Sequence, residues 1–233
     1  MIGQTTKTVP DLVGMVKNLL SDTSGNYYED SAVQDWVHLA INRLARELPA
    51  DYLPGLQQSG YLTTGTLSNQ ASLSGLSPAV FRIHRIFLVE PTDAATDAEQ
   101  RQYDYAVRQT LCLPMTDTDF RNMANGEQLA PSARPPRYYV WKNYVQFFAY
   151  GYSSTTIYPE TTFSIHYISE PERVDSPVPV SEDAVRALLF DAAKMGFVQA
   201  SRIDQVQTME NLYQQELQRM AALATMEGRS EQA

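Results

Sequence analysis

A chain of 233 residues with a formal net charge of −9 and one cysteine can bury a sizeable core, but it holds no intrachain disulfide. Its acidity argues against wrapping around nucleic acid, since phosphate affinity comes mainly from clustered Lys and Arg, yet it suits a wall past which DNA moves without sticking. The N-terminal stretch Met1 to Val9 is polar and no run approaches the roughly 18 apolar residues of a membrane span, so a soluble protein of a reducing compartment is expected.

The first predicted helix runs from about Val9 to Leu20, with Val9, Leu12, Val13, Val16, Leu19 and Leu20 on one face and Pro10 tolerated in the first turn. After the turn-rich Ser21 to Asn26, Tyr27-Tyr28-Glu29-Asp30-Ser31 launches a second helix through Trp36 to Leu48. Val33, Trp36, Val37, Ala40, Ile41, Leu44, Ala45 and Leu48 form its apolar stripe, while Gln34, Asp35, His38, Asn42, Arg43, Arg46 and Glu47 face water. Ser31 with Gln34 has the form of a capping box, and Pro49 ends the helix. So short a link predicts an antiparallel helix hairpin.

Period-two alternation follows in Gln57 to Thr64 and Val80 to Glu90, separated by the Ser/Gly/Asn-rich Thr64 to Ser77. An antiparallel pair in a small sheet on the helices is expected. Thr92 to Gln128 reads as an insert with helical pieces around Ala98 to Arg108 and from Asp117 to Asn125, and Leu129 to Pro136 as a proline-bearing loop. Aromatic residues then crowd from Tyr138 to Tyr158, in a hairpin predicted to turn at Lys142-Asn143. Both its faces are aromatic, whereas a strand with one solvated face alternates, so the second face should be covered by this chain's helices or by another copy. Thr162 to Ile168 does alternate.

Beyond the linker Glu170 to Pro179, Ser181 is the predicted cap of a helix whose inner face is Val185, Leu188, Leu189, Ala192, Ala193 and Gly196. The small residues predict close packing against the N-terminal hairpin. A last helix from about Asp204 to Met226 gathers Val206, Met209, Tyr213, Leu217, Met220, Ala221 and Ala224 near one face, before a polar tail, Gly228 to Ala233, expected to be mobile.

Reactive motifs are hard to find. His38, His84 and His166 are far apart and share no metal-ligand spacing with Cys112, which lies among Leu111, Leu113 and Met115 and reads as a buried, inert thiol. There is no Gly-rich phosphate loop, Gly-x-Ser-x-Gly elbow or His-Glu-x-x-His helix. Asp117/Asp119 and Glu182/Asp183 fall at helix starts, where helix-end electrostatics accounts for them. Arg134 and Arg137 beside Tyr138 and Tyr139 are too few cations to hold single-stranded nucleic acid, and the hairpin lacks the convergent polar groups of a ligand pocket. No catalytic, cofactor-binding or metal-ligating residue is expected.

The ordered set of pieces is more specific than any one of them. The amphipathic helix, the link ending in Tyr27-Tyr28-Glu29-Asp30 and the helix Val37-His38-Leu39-Ala40-Ile41-Asn42-Arg43-Leu44-Ala45-Arg46-Glu47-Leu48-Pro49 resemble the start of tailed-bacteriophage head-to-tail adaptor (connector) proteins. Ser77-Pro78-Ala79-Val80-Phe81-Arg82-Ile83 is similar to their passage from loop to strand, Pro136-Arg137-Tyr138-Tyr139 to their return to the sheet, and Tyr167-Ile168-Ser169-Glu170-Pro171 to the strand end before the closing helices. The resemblance covers most of Val9 to about Ala200. Tyr28 stands where that family has Trp, and Thr92 to Gln128 matches poorly.

The resemblance implies a virion protein of the neck, assembled in the host cytoplasm: a homo-oligomeric ring, usually of twelve copies, between the portal protein and tail or nozzle proteins. It implies DNA passing through the channel without sequence-specific binding, no membrane, no cofactor and no catalysis. The residues add two candidate contacts, an inter-subunit one at Tyr139, Trp141, Tyr144 and Phe148 of the aromatic hairpin and a portal-docking one at Met209, Tyr213, Leu217 and Met220 of the C-terminal helix. The latter edge alternatively packs back on its own bundle. The expected fold is α+β, a helical bundle of the N-terminal helix hairpin (9–48) and C-terminal helices with a small antiparallel β-sheet (57–169). A closing helix (181–200) completes an adaptor core of 1–200, and 201–233 forms a helix and polar tail serving as an arm. A tail-completion or stopper protein, a virion-associated hydrolase and a nucleic-acid-binding module remain as alternatives.

Overall fold

The computed structural model describes residues 3–22, 27–65, 70–90, 108–124, 137–148, 162–173 and 177–230. Two units emerge, a helical one of Met1–Gln57 with Glu170–Ala233 and a sheet unit of Gln58–Ser169.

In the helical unit the periodic segments fold as α1 (Val9–Leu19), α2 (Asp30–Glu47), α4 (Val185–Gln199) and α5 (Ile203–Ser230). Thr8 caps α1 in a true capping box: its hydroxyl accepts from the Asp11 N–H, and its own N–H donates to Asp11 Oδ2 at 2.8 Å. The box expected at Ser31 and Gln34 is not used. Helix α2 begins at Asp30 with Glu29 as N-cap and no side-chain capping bond, because Asp22 organises the turn by accepting the N–H groups of Tyr27 and Tyr28. Ser181 likewise precedes a 3₁₀ turn, Glu182–Ala184, rather than α4 itself, and its hydroxyl makes no capping bond.

Leu12, Val16, Val33, Val37, Ala40, Leu44, Leu188 and Ala192 are fully buried, the stripes the spacing predicted. Gly196 is where α4 meets the α1–α2 hairpin. A Cβ there would lie 2.6 Å from Leu20 Cδ1 and 3.0 Å from Trp36 Cζ3, and the Tyr28 hydroxyl donates to the Gly196 carbonyl at 3.1 Å. Any side chain there would have to displace Leu20. The extended segment before α1 runs antiparallel to the one before α4, with bridges Gln4 to Ser181 and Thr8 to Pro177. Helix α5 continues through Gly228 to Ser230, where a mobile tail was expected, and 231–233 lie outside the described residues.

The sheet is not small. Seven strands, β1 (Gln57–Thr63), β2 (Gln70–Ser72), β3 (Val80–Glu90), β4 (Arg108–Pro114), β5 (Arg137–Trp141), β6 (Tyr144–Phe148) and β7 (Thr162–Ser169), pair in the order β1-β7-β3-β4-β5-β6-β2. It is mixed rather than antiparallel, since β4 and β5 run parallel, and β1 and β3, expected to pair, both flank β7. Phe147 of β6 stacks on Phe163 of β7 at 3.6 Å between centroids, although three strands separate them in the pairing order. The sheet must therefore curl into a nearly closed barrel around Leu62, Ile86, Cys112, Tyr138, Val145 and Ile165. Helix α3 (Asp117–Ala124) belongs to this unit. The helical piece expected around Ala98 to Arg108 lies almost wholly outside the described residues, and Arg108 opens β4. Leu129 to Pro136, Tyr150, Tyr152 and Tyr158 also lie outside.

Candidate interaction surfaces

Strand pairing fixes what each face of the aromatic hairpin presents. Tyr138, Val145 and Phe147 are buried inside, whereas Trp141 opposite Tyr144 and Tyr139 opposite Gln146 lie outside, with Phe148. Lys142 supplies the left-handed turn residue, φ 54°. Leu111 and Leu113 flank the buried Cys112 on β4 and so share the outer side.

Helix α3 covers part of that side. Phe120 stacks on Tyr139 at 4.2 Å and 7°, meets the Phe148 ring edge-on at 6.2 Å, and the Tyr139 hydroxyl donates to Asp117 Oδ1 at 2.9 Å. Asp119 closes a box with Thr116, whose hydrogen bonds hold the carboxyl below its usual range. Both carboxylates of the Asp117/Asp119 pair thus serve the local fold. The chain's own helix covers Tyr139 and Phe148 but leaves Trp141 57% and Tyr144 49% exposed, beside exposed Leu111 and Leu113. Of the four hairpin residues singled out, two form a fixed base and two form the open surface.

The C-terminal edge is disposed differently. Tyr213 and Met220 are fully buried, and Met209 and Leu217 half-buried, so in this structure α5 packs back on its own bundle. A charged clasp holds it there. Arg43 of α2 donates to Asp191 of α4 at 2.6 Å and to Glu210 of α5 at 3.0 Å, and Lys194 donates to the same two carboxylates at 2.7 and 2.8 Å. The Arg43 guanidinium also sits 4.2 Å from the Tyr213 ring centroid, and the Tyr213 hydroxyl donates to Glu47 at 2.6 Å. Farther along, the Tyr52 hydroxyl donates to the Met220 carbonyl at 3.1 Å.

The electrostatics follow the geometry. Arg43, then Lys194, holds the Glu210 carboxyl well below the usual carboxylate range, and Glu210 in turn raises the Arg43 guanidinium. Burial, then the bond to Glu47, raises the Tyr213 hydroxyl. Sequence reasoning missed the clasp by assigning Arg43 and Glu47 to solvent. The available sign was Asp191, a carboxylate between Leu188 and Ala192 on an otherwise apolar helix face.

Little of this arrangement is poised for bond-making. Burial pushes the Cys112 thiol up to about 12, which keeps it protonated and inert. His166 packs edge-on against Phe87 at 5.6 Å. Among the described residues, no group of three or more His, Cys, Asp or Glu could hold a metal ion, and no helix is long and apolar enough to cross a membrane.

The family model described as SU10 adaptor protein matches residues 7–233 of the chain. No curated protein matches it.

Proposed function

Because the chain belongs to the SU10 adaptor protein family and is thereby a phage adaptor, we propose that twelve copies form a ring that joins the portal to the tail and surrounds the DNA channel. The observation that carries this reading is the open apolar surface of Trp141, Tyr144, Leu111 and Leu113 on the outer side of the sheet. Covering the exposed halves of the two aromatics alone removes on the order of 200 Å² from water, a gross gain of about 5 kcal/mol per contact. Most of that offsets the loss of rigid-body freedom on association, so a single contact is weak. Ring closure repeats it and makes the assembly stable.

In this reading Tyr139 and Phe148, fixed under α3, hold the inter-subunit surface in shape while Trp141 and Tyr144 make the contact. Helix α5 is the arm that meets the portal. Its 28 residues span about 42 Å against about 22 Å for the 15 of α4. The segment beyond Met220 is therefore the first to reach a partner, with Met209 and Leu217 beside it. Tyr213 and Met220 join the docking edge only if α5 leaves the clasp. The net charge of −9 lets DNA pass without adhering.

Electron microscopy of the purified protein mixed with its portal tests the proposal. Rings seated on the portal are expected. A protein that stays monomeric and never binds the portal would overturn it.

A further inference from the structure

A groove of about 440 Å³ opens on the helical unit, with an apolar lining of Met15, Val185 and Leu189 and a rim of Lys7, Arg186 and Arg219. Two carboxylates border it as well: that of Glu182 is already engaged, while that of Asp183 is exposed. Glu182 accepts from Lys7 and Thr5, while Arg219 donates to Glu216 at 2.7 Å and to the Asp183 carbonyl at 3.2 Å. Arg186 is exposed and has no hydrogen-bond or ion-pair partner among the described residues. The groove thus offers an apolar floor beside an unengaged cation.

The same unit carries a matching projection. Tyr27 is 84% exposed, more than any other large apolar side chain among the described residues. Its position is nonetheless firmly held. Asp22, itself buried, accepts the N–H of Tyr27 at 3.3 Å and of Tyr28 at 3.0 Å, and the Tyr28 ring meets Trp36 edge-on at 5.3 Å. An aromatic ring presented on a fixed turn loses little entropy when it inserts into a pocket. Beside it the Glu29 carboxylate is exposed and engages no partner among the described residues, whereas Asp30 is taken by Lys17.

We propose that Tyr27 of one copy seats in the Met15, Val185 and Leu189 groove of the next, with its Glu29 reaching that copy's Arg186. This rests on the reading that copies of the chain assemble. Within one copy the two features lie apart: Tyr28 meets α4 at Gly196, near its C-terminal end, and the groove flanks the first residues of α4. The 11 residue steps from Val185 to Gly196 span about 16 Å of helix. The contact joins unlike faces of successive copies, the arrangement that closes into rings or extends into filaments. A charged pair beside a buried aromatic also fixes the register of neighbours, since a shifted copy would leave both charges facing apolar groups.

The test uses full-length protein carrying Glu29→Cys and Arg186→Cys together, oxidised both alone and on the portal. Both positions are exposed, so folding is preserved, which circular dichroism checks, and the buried Cys112 does not compete. A ladder of covalent multimers is expected, where either single-cysteine variant gives dimers at most. Adding Tyr27→Ser should weaken the ladder at least tenfold. The proposal is overturned if the double variant cross-links no further than the single ones under both conditions, if Tyr27→Ser leaves the ladder intact, or if Arg186→Cys cross-links to the portal instead. Rings seen by microscopy without the ladder would remove this contact and leave the ring; a ladder without portal-bound rings would do the reverse.

Discussion

Replacing Arg43 should destabilise the helical unit far more than replacing the aspartate it faces. Asp191 is fully buried; its Oδ1 accepts from Arg43 and Lys194, and its Oδ2 has no partner among the described residues. Arg43→Met keeps an apolar stem against Tyr213 but leaves that carboxylate with Lys194 alone and strips a donor from both Glu47 and Glu210. Removing one partner of a buried ion pair costs about 3–5 kcal/mol, and the 27% exposure of Arg43 places this case near the lower end, about 3 kcal/mol. Asp191→Ala removes the buried charge together with its desolvation penalty, and leaves Arg43 on Glu47 and Glu210 and Lys194 on Glu210. It should cost about 1 kcal/mol or less. Urea denaturation at pH 7 reads the difference, followed by Trp36 fluorescence in a Trp141→Phe background so that the helical unit reports alone. Equal losses, or a larger loss from Asp191→Ala, would refute the claim that Arg43 organises the clasp.

Phe163→Ala should cost the sheet unit about 3–5 kcal/mol, since it removes the ring stacked on Phe147, and a loss below about 1 kcal/mol in the Trp141 signal would contradict the curled sheet. Gly55→Ala and Gly14→Ala should differ in sign. A Cβ on Gly55 would lie 2.7 Å from the Pro179 Cα, a backbone atom that cannot swing away, for a loss of about 1–3 kcal/mol; Gly14 in α1 faces open space, for a gain of about 0.5–1 kcal/mol. Acid should loosen α5. The folded Glu210 carboxyl titrates below its unfolded value of 4.5, so its contribution is complete above that pH and declines as the pH falls further; Arg43→Met should flatten this acid limb, and an unchanged limb would count against the pairing. Trp141→Ser should leave the thermal midpoint unchanged and abolish ring formation on the portal, whereas normal rings would relieve the hairpin of its assigned role.

What the sequence made legible was local. Val33 through Leu48 and Val185 through Gly196 announce helices because their partners recur every three or four residues, and the narrowing toward Gly196 announced a close approach that the Leu20 and Trp36 contacts realise. The turn at Lys142-Asn143 was readable from the tolerance of Asn for positive φ, although it is Lys142 that adopts the left-handed conformation. Strands β2 and β4 were not. Gln70–Ser72 is three polar or small residues long, and Leu111-Cys112-Leu113 is too short an apolar run to separate strand from helix, so both owe their conformation to neighbouring strands. The Ser31 and Gln34 pattern misled because Asp22, outside the window, already holds the turn. The clasp was invisible because Arg43 and Asp191 are 148 residues apart, and periodicity places polar side chains in solvent without regard to a third helix arriving there. Tyr213 and Met220 show the converse: an apolar edge read from spacing is real, yet spacing does not say whose groove it fills.

The most direct measurement is an electron cryomicroscopy reconstruction of the assembled neck at side-chain resolution. The account predicts that Trp141, Tyr144, Leu111 and Leu113, exposed on one chain, lie beneath another protein chain around the whole ring. A reconstruction in which those four side chains face solvent in every copy would contradict it.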